Sequence, residues 1–333
     1  MAKITVLGCG WGTALAVMAN RYGHQVTLWS CFPEEIESIR RHGEHKKLLP
    51  GVAVSPKIEL TTDISCAADA DLVLMAVPSF AIGQTAERLQ PVLRPGALIA
   101  NAGKGIEAGT CRRFSELLQE KLPQARVVVL SGPSHAEEVA RDVPTSVVSA
   151  STDVKAAEEV QDILMNPRFR IYVNPDVVGV ELGGALKNVI ALSVGICDGL
   201  DIGDNAKAAL MTRGLSEMAR LGIAMGAQRD TFAGLAGMGD LIVTCGSMHS
   251  RNRRAGILIG QGIPAEEAIR QVGTVEGYLA AEAAHTLAKR VGVEMPISEQ
   301  CYRVCYKGED PRLAIEALMT RPRGHESDQG WLK

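Results

Sequence analysis

The residue pattern predicts an α/β chain in two parts, a doubly wound domain built on a parallel sheet and an all-helical domain after it. Three observations predict this. A strand, a glycine turn and a helix open the chain within 21 residues. Strands and helices then alternate as far as Ser149, the rhythm of a parallel sheet with helices on both faces. From Gly179 onward strand signals nearly vanish and helical periodicity takes over.

In chain order, Ile4 to Leu7 is an apolar, partly β-branched run, Gly8-Cys9-Gly10-Trp11-Gly12 is the turn, and Thr13 to Arg21 is an alanine-rich helix. Gln25 to Leu28 is the second strand. This is the opening unit of a Rossmann-like dinucleotide-binding domain: glycines let the backbone approach a pyrophosphate, and the helix N-terminus offers free N–H groups and a positive dipole end. The spacing is irregular, because Gly12 comes one residue early and Thr13 stands where the motif wants its third glycine. An acid after the second strand would bind ribose hydroxyls, and an arginine would accept a 2′-phosphate. Trp29-Ser30-Cys31 is neither, so weak discrimination between NAD and NADP is expected. Glu34 reads equally as a late ribose acid and as a helix N-terminal acid after Pro33.

Further strands are expected at Leu72 to Val77, Leu98 to Ala100, Val127 to Leu130 and Ser146 to Ser149, with a helix from Ala81 to Leu93. Ligands of such sheets bind at the carboxyl ends of the strands. Gly8 to Gly12, Pro78-Ser79, Lys104 and Gly132 to Ser134 therefore share one rim.

The all-helical part is expected over 179–320, after a dinucleotide domain over 1–178 and before a loose tail over 321–333. Its first helix carries Leu182, Leu186, Ile190 and Val194 as a buried stripe, with one ammonium group, Lys187, among them. Gly183 and Gly184 lie one turn upstream, where each costs about 1 kcal/mol relative to alanine and suggests a close neighbour. Lys187 either snorkels to solvent or serves a site. A second ligand-like cluster, Gly237 to Cys245 followed by Ser250 to Arg254, favours the site. Ala206 to Met225, Ala265 to Val272, Leu279 to Val291 and Ile297 to Tyr306 read as further helices.

Composition sets limits. Of the 333 residues, 46% are hydrophobic and 22% charged, as in an ordinary globular protein, and a net charge of −3 argues against a nucleic-acid partner. The three arginines of 251–254 suit one small anion. No signal peptide and no bilayer-spanning apolar run are expected. The eight cysteines are scattered, which fits reduced thiols in a cytoplasmic protein without a metal.

The chain resembles the bacterial NAD(P)-dependent glycerol-3-phosphate dehydrogenases over nearly its whole length. The resemblance rests on Gly-Trp-Gly-Thr-Ala-Leu-Ala at 10–16, Ala-Val-Pro-Ser at 76–79, Gly-Lys-Gly-Ile-Glu at 103–107 and Ser-Gly-Pro-Ser at 131–134. It extends through Glu-Leu-Gly-Gly-Ala-Leu-Lys-Asn at 181–188, Gly-Asp-Asn-Ala-Lys at 203–207, Gly-Asp-Leu-Ile-Val-Thr-Cys at 239–245 and His-Ser-Arg-Asn-Arg-Arg at 249–254. It implies an enzyme that moves hydride reversibly between NADPH or NADH and dihydroxyacetone phosphate, giving sn-glycerol 3-phosphate, the precursor of glycerophospholipids. It implies Lys187 as the proton carrier. Lys104, Gly132, Ser134, Asp240, Thr244, Ser250, Arg251 and Asn252 would line the substrate site with it. Gly8, Gly10, Trp11, Gly12, Cys31, Lys104, Ala136, Arg251 and Glu276 would meet the cofactor. A homodimer is implied as well. Three departures stand out: the family turn reads G-x-G-x-W-G and this chain lacks one residue before Trp11, Cys31 replaces a usual arginine, and His135 replaces a usual phenylalanine.

For Lys187 to act both ways, burial or a neighbouring cation such as Lys104 must lower its pKa, and Asp240 is expected to orient it without pairing rigidly. Asp240 as a helix N-cap and Arg251 as a solvated charge are the bland alternatives. A 3-hydroxyacid or 6-phosphogluconate dehydrogenase, and an idle dinucleotide sensor, are the rival functions.

Overall fold

A computed structural model describes residues 1–324 and 326; residues 325 and 327–333, most of the expected tail, lie outside the described residues. The strands are β1 (Lys3–Leu7), β2 (Gln25–Trp29), β3 (Glu59–Thr61), β4 (Leu72–Met75), β5 (Leu98–Asn101), β6 (Arg126–Ser131), β7 (Thr145–Ala150) and β8 (Phe169–Asn174). The helices of the first part are α1 (Trp11–Arg21), α2 (Pro33–His42), α3 (Ile82–Leu89), α4 (Phe114–Lys121), α5 (Ala136–Ala140) and α6 (Val154–Leu164). The second part holds α7 (Val177–Gly199), α8 (Asp204–Ala224), α9 (Arg229–Ala233), α10 (Asp240–Gly246) and α11 (Arg251–Gly260). It continues with α12 (Ala265–Val272), α13 (Glu276–Val291), α14 (Pro296–Lys307) and α15 (Pro311–Met319).

All eight strands form one sheet, in the order β3-β2-β1-β4-β5-β6-β7-β8. Alternate residues point to opposite faces. Ile4, Val6, Leu72 and Leu74 pack under α1 and α6, while Leu7, Val73, Met75 and Ile99 pack against α3 and α4. The sheet is thus doubly wound, as expected, with one correction. β7 runs antiparallel to β6 and parallel to β8, so the last two strands oppose the first six. The connection from β6 holds only the short α5 and does not cross back over the sheet, so β7 starts at the end where β6 stops.

The first turn of α2 contains Glu34 and Glu35 after Pro33, as a dipole-matched N-terminus should. The Ala81–Leu93 run is shorter than expected: Ser79–Ala81 is a 3₁₀ turn, and the α-helix ends at Leu89. Arg321, where the loose tail was expected to begin, pairs with Glu294 at 3.0 Å.

Helix α7 differs most from expectation. Its residues from Gly179 to Cys197 are all buried, so the buried stripe is a buried cylinder that takes Glu181, Lys187, Asn188 and Ser193 inside with it. Val180 packs on Val129, Val148 and Ala150 of the sheet, and α8, α10, α11 and α13 surround the rest. Its 23 residues are long and apolar enough to cross a membrane, which corrects the expectation of no such run, but 94% of its apolar window is buried inside the fold. Glycines allow this crowding. A Cβ on Gly195 would overlap Arg253 O of α11, and one on Gly256 would overlap Leu192 O of α7.

Candidate active site

The rim expected from the sequence forms at the carboxyl ends of β1, β4, β5 and β6, four consecutive strands of the sheet. After β1, Gly8 turns the chain at φ +106°, where a Cβ would lie 2.7 Å from Ala76 O. Gly12 lets α1 pack close to the sheet, because its Cβ would sit 2.9 Å from Val6 Cγ1. The missing residue is absorbed by starting α1 at Trp11 itself, with Thr13 N–H on Gly10 O at 3.2 Å and Thr13 Oγ1 on Cys9 O at 2.5 Å. No side chain among the described residues caps α1, which leaves its first turn open to a ligand's acceptors. Around Gly10 only Leu48 Cδ1 comes near, at 3.7 Å from where a Cβ would stand. An uncapped helix N-terminus behind an open glycine fits a pyrophosphate. Leu48 beside this turn was not among the expected residues.

Four more expected cofactor residues stand around this rim. Trp11 packs partly against the core beneath α1. Ala136 opens α5. Cys31 is exposed just beyond β2. Glu276 opens α13, and its Oε1 accepts Ser79 N–H at 3.4 Å, which ties the helical part to the loop after β4. The Ser79 hydroxyl beside it is buried without a hydrogen-bond partner among the described residues.

The chemistry gathers where α7 climbs past the end of β6. A Cβ on Gly184 would lie 2.7 Å from Ser131 Oγ and 3.7 Å from Lys104 Cγ, so this glycine admits the rim to the helix. One turn on, Lys187 is only 4% exposed, which eliminates snorkelling. Its Nζ donates to Asp240 Oδ1 and, at 2.7 Å, to Thr244 Oγ1. Lys104 Nζ donates to the other carboxylate oxygen, Asp240 Oδ2, at 2.8 Å, and to Gly132 O at 2.7 Å and Ser134 Oγ at 3.3 Å. Asp240 therefore pairs directly with Lys187, a correction to the looser orienting contact expected. The N-cap reading fails too, because Gly239 holds that position and the carboxylate faces the lysines.

Two ammonium groups on one buried carboxylate set the electrostatics. Burial pushes Lys187 down to about 8; Asp240 opposes this and Lys104 adds to it. Burial alone would raise Asp240, but Lys104 and Lys187 outweigh it and hold the carboxyl below its ordinary range. The Thr244 hydroxyl donates to Asp240 O at 2.6 Å, so it accepts from Lys187 through a lone pair. Two of the three ammonium donors of Lys187 are thus engaged and one remains.

The 250–254 cluster divides. Ser250 caps α11, accepting Arg253 N–H at 3.2 Å. Asn252 binds Asn188 Oδ1 at 2.9 Å and accepts Gly277 N–H at 2.7 Å, joining α7, α11 and α13. Arg253 is consumed by Asp198 and Gly246 O, both at 2.7 Å, so the three arginines do not form one anion site as expected. Arg251, the first residue of α11, has no ion pair among the described residues and lies in the field of Glu276 and Glu137. The Asn188–Asn252 bond ties α7 to α11 at the positions next to Lys187 and Arg251. His135 ring contacts are with His249, at 5.7 Å between centroids, and its Nε2 lies 3.4 Å from Val243 O. Among the described residues no group of three His, Cys, Asp or Glu side chains is placed to hold a metal ion.

Comparison with known proteins matches this arrangement to one family. Residues 3–157 match the N-terminal and residues 176–316 the C-terminal model of NAD-dependent glycerol-3-phosphate dehydrogenase. The chain is 53% identical over 331 residues to a glycerol-3-phosphate dehydrogenase of the NAD(P)+ type from Moorella thermoacetica, covering 98% of each chain. It is 50% identical over 331 residues to one from Desulfitobacterium hafniense, covering 99% of this chain and 94% of that one. The crystal structure of glycerol-3-phosphate dehydrogenase from Coxiella burnetii superposes with a TM-score of 0.92 at 37% identity, covering 96% and 99% of the two chains.

Proposed function

The chain belongs to the NAD-dependent glycerol-3-phosphate dehydrogenase family, and on that premise we propose that it interconverts dihydroxyacetone phosphate and sn-glycerol 3-phosphate with Lys187 as the proton carrier. The observation that carries this is the Lys187–Asp240–Lys104 triad at the end of the β6 rim, in which burial, aided by Lys104 and opposed by Asp240, lowers one lysine toward neutrality. The nicotinamide, when bound, supplies or takes the hydride. Residues 1–178 hold the dinucleotide through Gly8, Gly10, Trp11, Gly12, Cys31, Lys104 and Ala136, with Arg251 and Glu276 reaching across from residues 179–320. The first two residues of α7 fall on the earlier side of that division.

In the reduction, negative charge grows on the C2 oxygen of the ketone. The free N–H of Lys187 stabilises that charge and then delivers the proton, and the low-dielectric surroundings strengthen both effects. In the oxidation, neutral Lys187 accepts the hydroxyl proton. A pKa of about 8 places both protonation states within reach of neutral pH. Asp240 and Thr244 hold the nitrogen in place throughout. Arg251 presents a planar fork to the phosphate, next to the N-terminal N–H groups of α11. Lys104, Gly132, Ser134, Ser250 and Asn252 frame the same pocket. The enzyme works as a homodimer in the cytoplasm, as the family resemblance implies, supplying glycerol 3-phosphate for glycerophospholipids.

Turnover of dihydroxyacetone phosphate by the purified protein, followed by nicotinamide absorbance, tests the reading. Oxidation of 3-hydroxyacids or 6-phosphogluconate in its place would establish a rival dehydrogenase, and tight dinucleotide binding with no turnover would establish a sensor.

A further inference from the structure

No acid and no arginine directly follows β2, yet the structure brings a carboxylate there from the next helix. Glu35, in the first turn of α2, folds back so that its Oε2 accepts the Ser30 hydroxyl proton at 2.6 Å. Ser30 Oγ in turn accepts Phe32 N–H at 3.2 Å, which locks the tip of the strand. Its charge is felt at the glycine turn: burial first and Glu35 second push the thiol of Cys9, between Gly8 and Gly10, up to about 12.

A second side chain stands behind Glu35. His45 is buried, and its Nδ1 accepts Leu48 N–H at 3.2 Å. That leaves the ring proton on Nε2, which has no hydrogen-bond partner among the described residues and lies 3.9 Å from Glu35 Oε1. The His45 ring, helped by Ser30, holds the Glu35 carboxyl below its ordinary range against the effect of burial. The carboxylate is therefore charged at neutral pH, held between two side chains, and still 26% exposed. Lys47 acts on it more weakly than His45 does, and is an exposed side chain free to turn into solvent.

In a doubly wound dinucleotide domain, an acid at the tip of the second strand takes the hydroxyls of the adenosine ribose, and a 2′-phosphate needs a cation there. We propose that Glu35 sets the dinucleotide preference of this enzyme, selecting NADH by accepting the ribose hydroxyls and repelling the 2′-phosphate of NADPH. The proposal rests on the dehydrogenase reading for its catalytic arm only.

The test is calorimetric binding of ADP-ribose and of 2′-phospho-ADP-ribose to the parent protein, Glu35→Gln and Cys31→Arg, with kcat/KM for NADH and NADPH alongside. The parent is expected to bind ADP-ribose at least about tenfold more tightly, the scale of one charge-assisted hydrogen bond. Glu35→Gln keeps the side-chain shape and should shrink that ratio about tenfold, with the NADPH/NADH ratio of kcat/KM rising to match. Cys31→Arg leaves Glu35 in place and should strengthen binding of the 2′-phosphorylated fragment alone. Equal or tighter binding of that fragment by the parent overturns the proposal without any variant being made. So does a Glu35→Gln protein that melts like the parent and keeps its fragment ratio. If Glu35→Gln does not fold, an unchanged fragment ratio in Cys31→Arg places the 2′-carbon elsewhere and refutes the assignment. Fragment binding involves no dihydroxyacetone phosphate. Discrimination without turnover would therefore sink the proposed reaction and leave Glu35 in its role.

Discussion

Lys104 Nζ stands 2.8 Å from Asp240 Oδ2, on the one carboxylate oxygen that Lys187 leaves free. The contact does two things. It places a second positive charge near the Lys187 ammonium, and it draws off part of the anion that would otherwise hold Lys187 charged. Both effects lower the Lys187 pKa.

Removing Lys104 should therefore raise it. In Lys104→Met, Asp240 pairs with Lys187 alone and the basic limb of glycerol 3-phosphate oxidation should move to higher pH. Below that limb the rate falls about tenfold for each unit of displacement. A pH profile of kcat in the oxidative direction checks this, and a limb that stays in place or moves to lower pH would mean that Lys104 does not tune Lys187.

Arg251→Ala should weaken kcat/KM for dihydroxyacetone phosphate by the equivalent of about 2–5 kcal/mol, as expected when a desolvated anion loses its arginine. Most of the loss should appear in KM, with dinucleotide affinity changing far less. Preference for dihydroxyacetone phosphate over unphosphorylated dihydroxyacetone should collapse with it. Steady-state kinetics on the two ketones decide the matter: an intact preference would put the phosphate on other residues.

Gly256→Ala should destabilise the fold by about 1–3 kcal/mol, because its methyl group has no room beside Leu192 O of the buried helix. The same strain pushes α11 away from α7 and carries Arg251 with it, so KM for dihydroxyacetone phosphate should rise in the protein that remains folded. Urea denaturation paired with kinetics checks both parts. A variant as stable as the parent would show that the two helices do not need their close approach.

How much of this was legible in the sequence depended on the distance over which each signal acts. The glycine turn, the strand rhythm and the lysine on an apolar helix are local patterns, and the structure has them where the pattern puts them. The alternation of Phe169, Ile171 and Val173 with Arg170 and Tyr172 in β8 is a strand signal of the same kind, outside the rhythm read up to Ser149. The direction of β7 has no local signature, because an apolar strand looks alike whichever way it runs. Burial of α7 on every side comes from elements as far as 112 residues away in the chain, and no stripe on the helix itself could announce it. The sharing of Asp240 by two lysines joins positions 53 and 136 residues apart. Each was recognisable by motif, but their contact emerged only from the packing. Glu35 is the opposite case. It is five residues from Ser30, yet only the start of α2 and the buried His45 ring aim it at the tip of β2.

Whether Lys187 carries the proton is decided by the pH dependence of kcat for glycerol 3-phosphate oxidation in the parent and in Lys187→Met. A lysine lowered to about 8 must lose its proton before it can act as a base. The parent rate should therefore rise with pH up to a plateau set by that group, while the reduction of dihydroxyacetone phosphate, which needs the ammonium form, should decline over the same range. Methionine keeps the helix propensity and most of the volume while deleting charge and donors. Lys187→Met should fold, bind dinucleotide normally, lose about 10²–10⁴-fold in kcat, and lose the basic limb. A Lys187→Met protein that turns over within a few-fold of the parent on an unchanged pH profile would contradict the account.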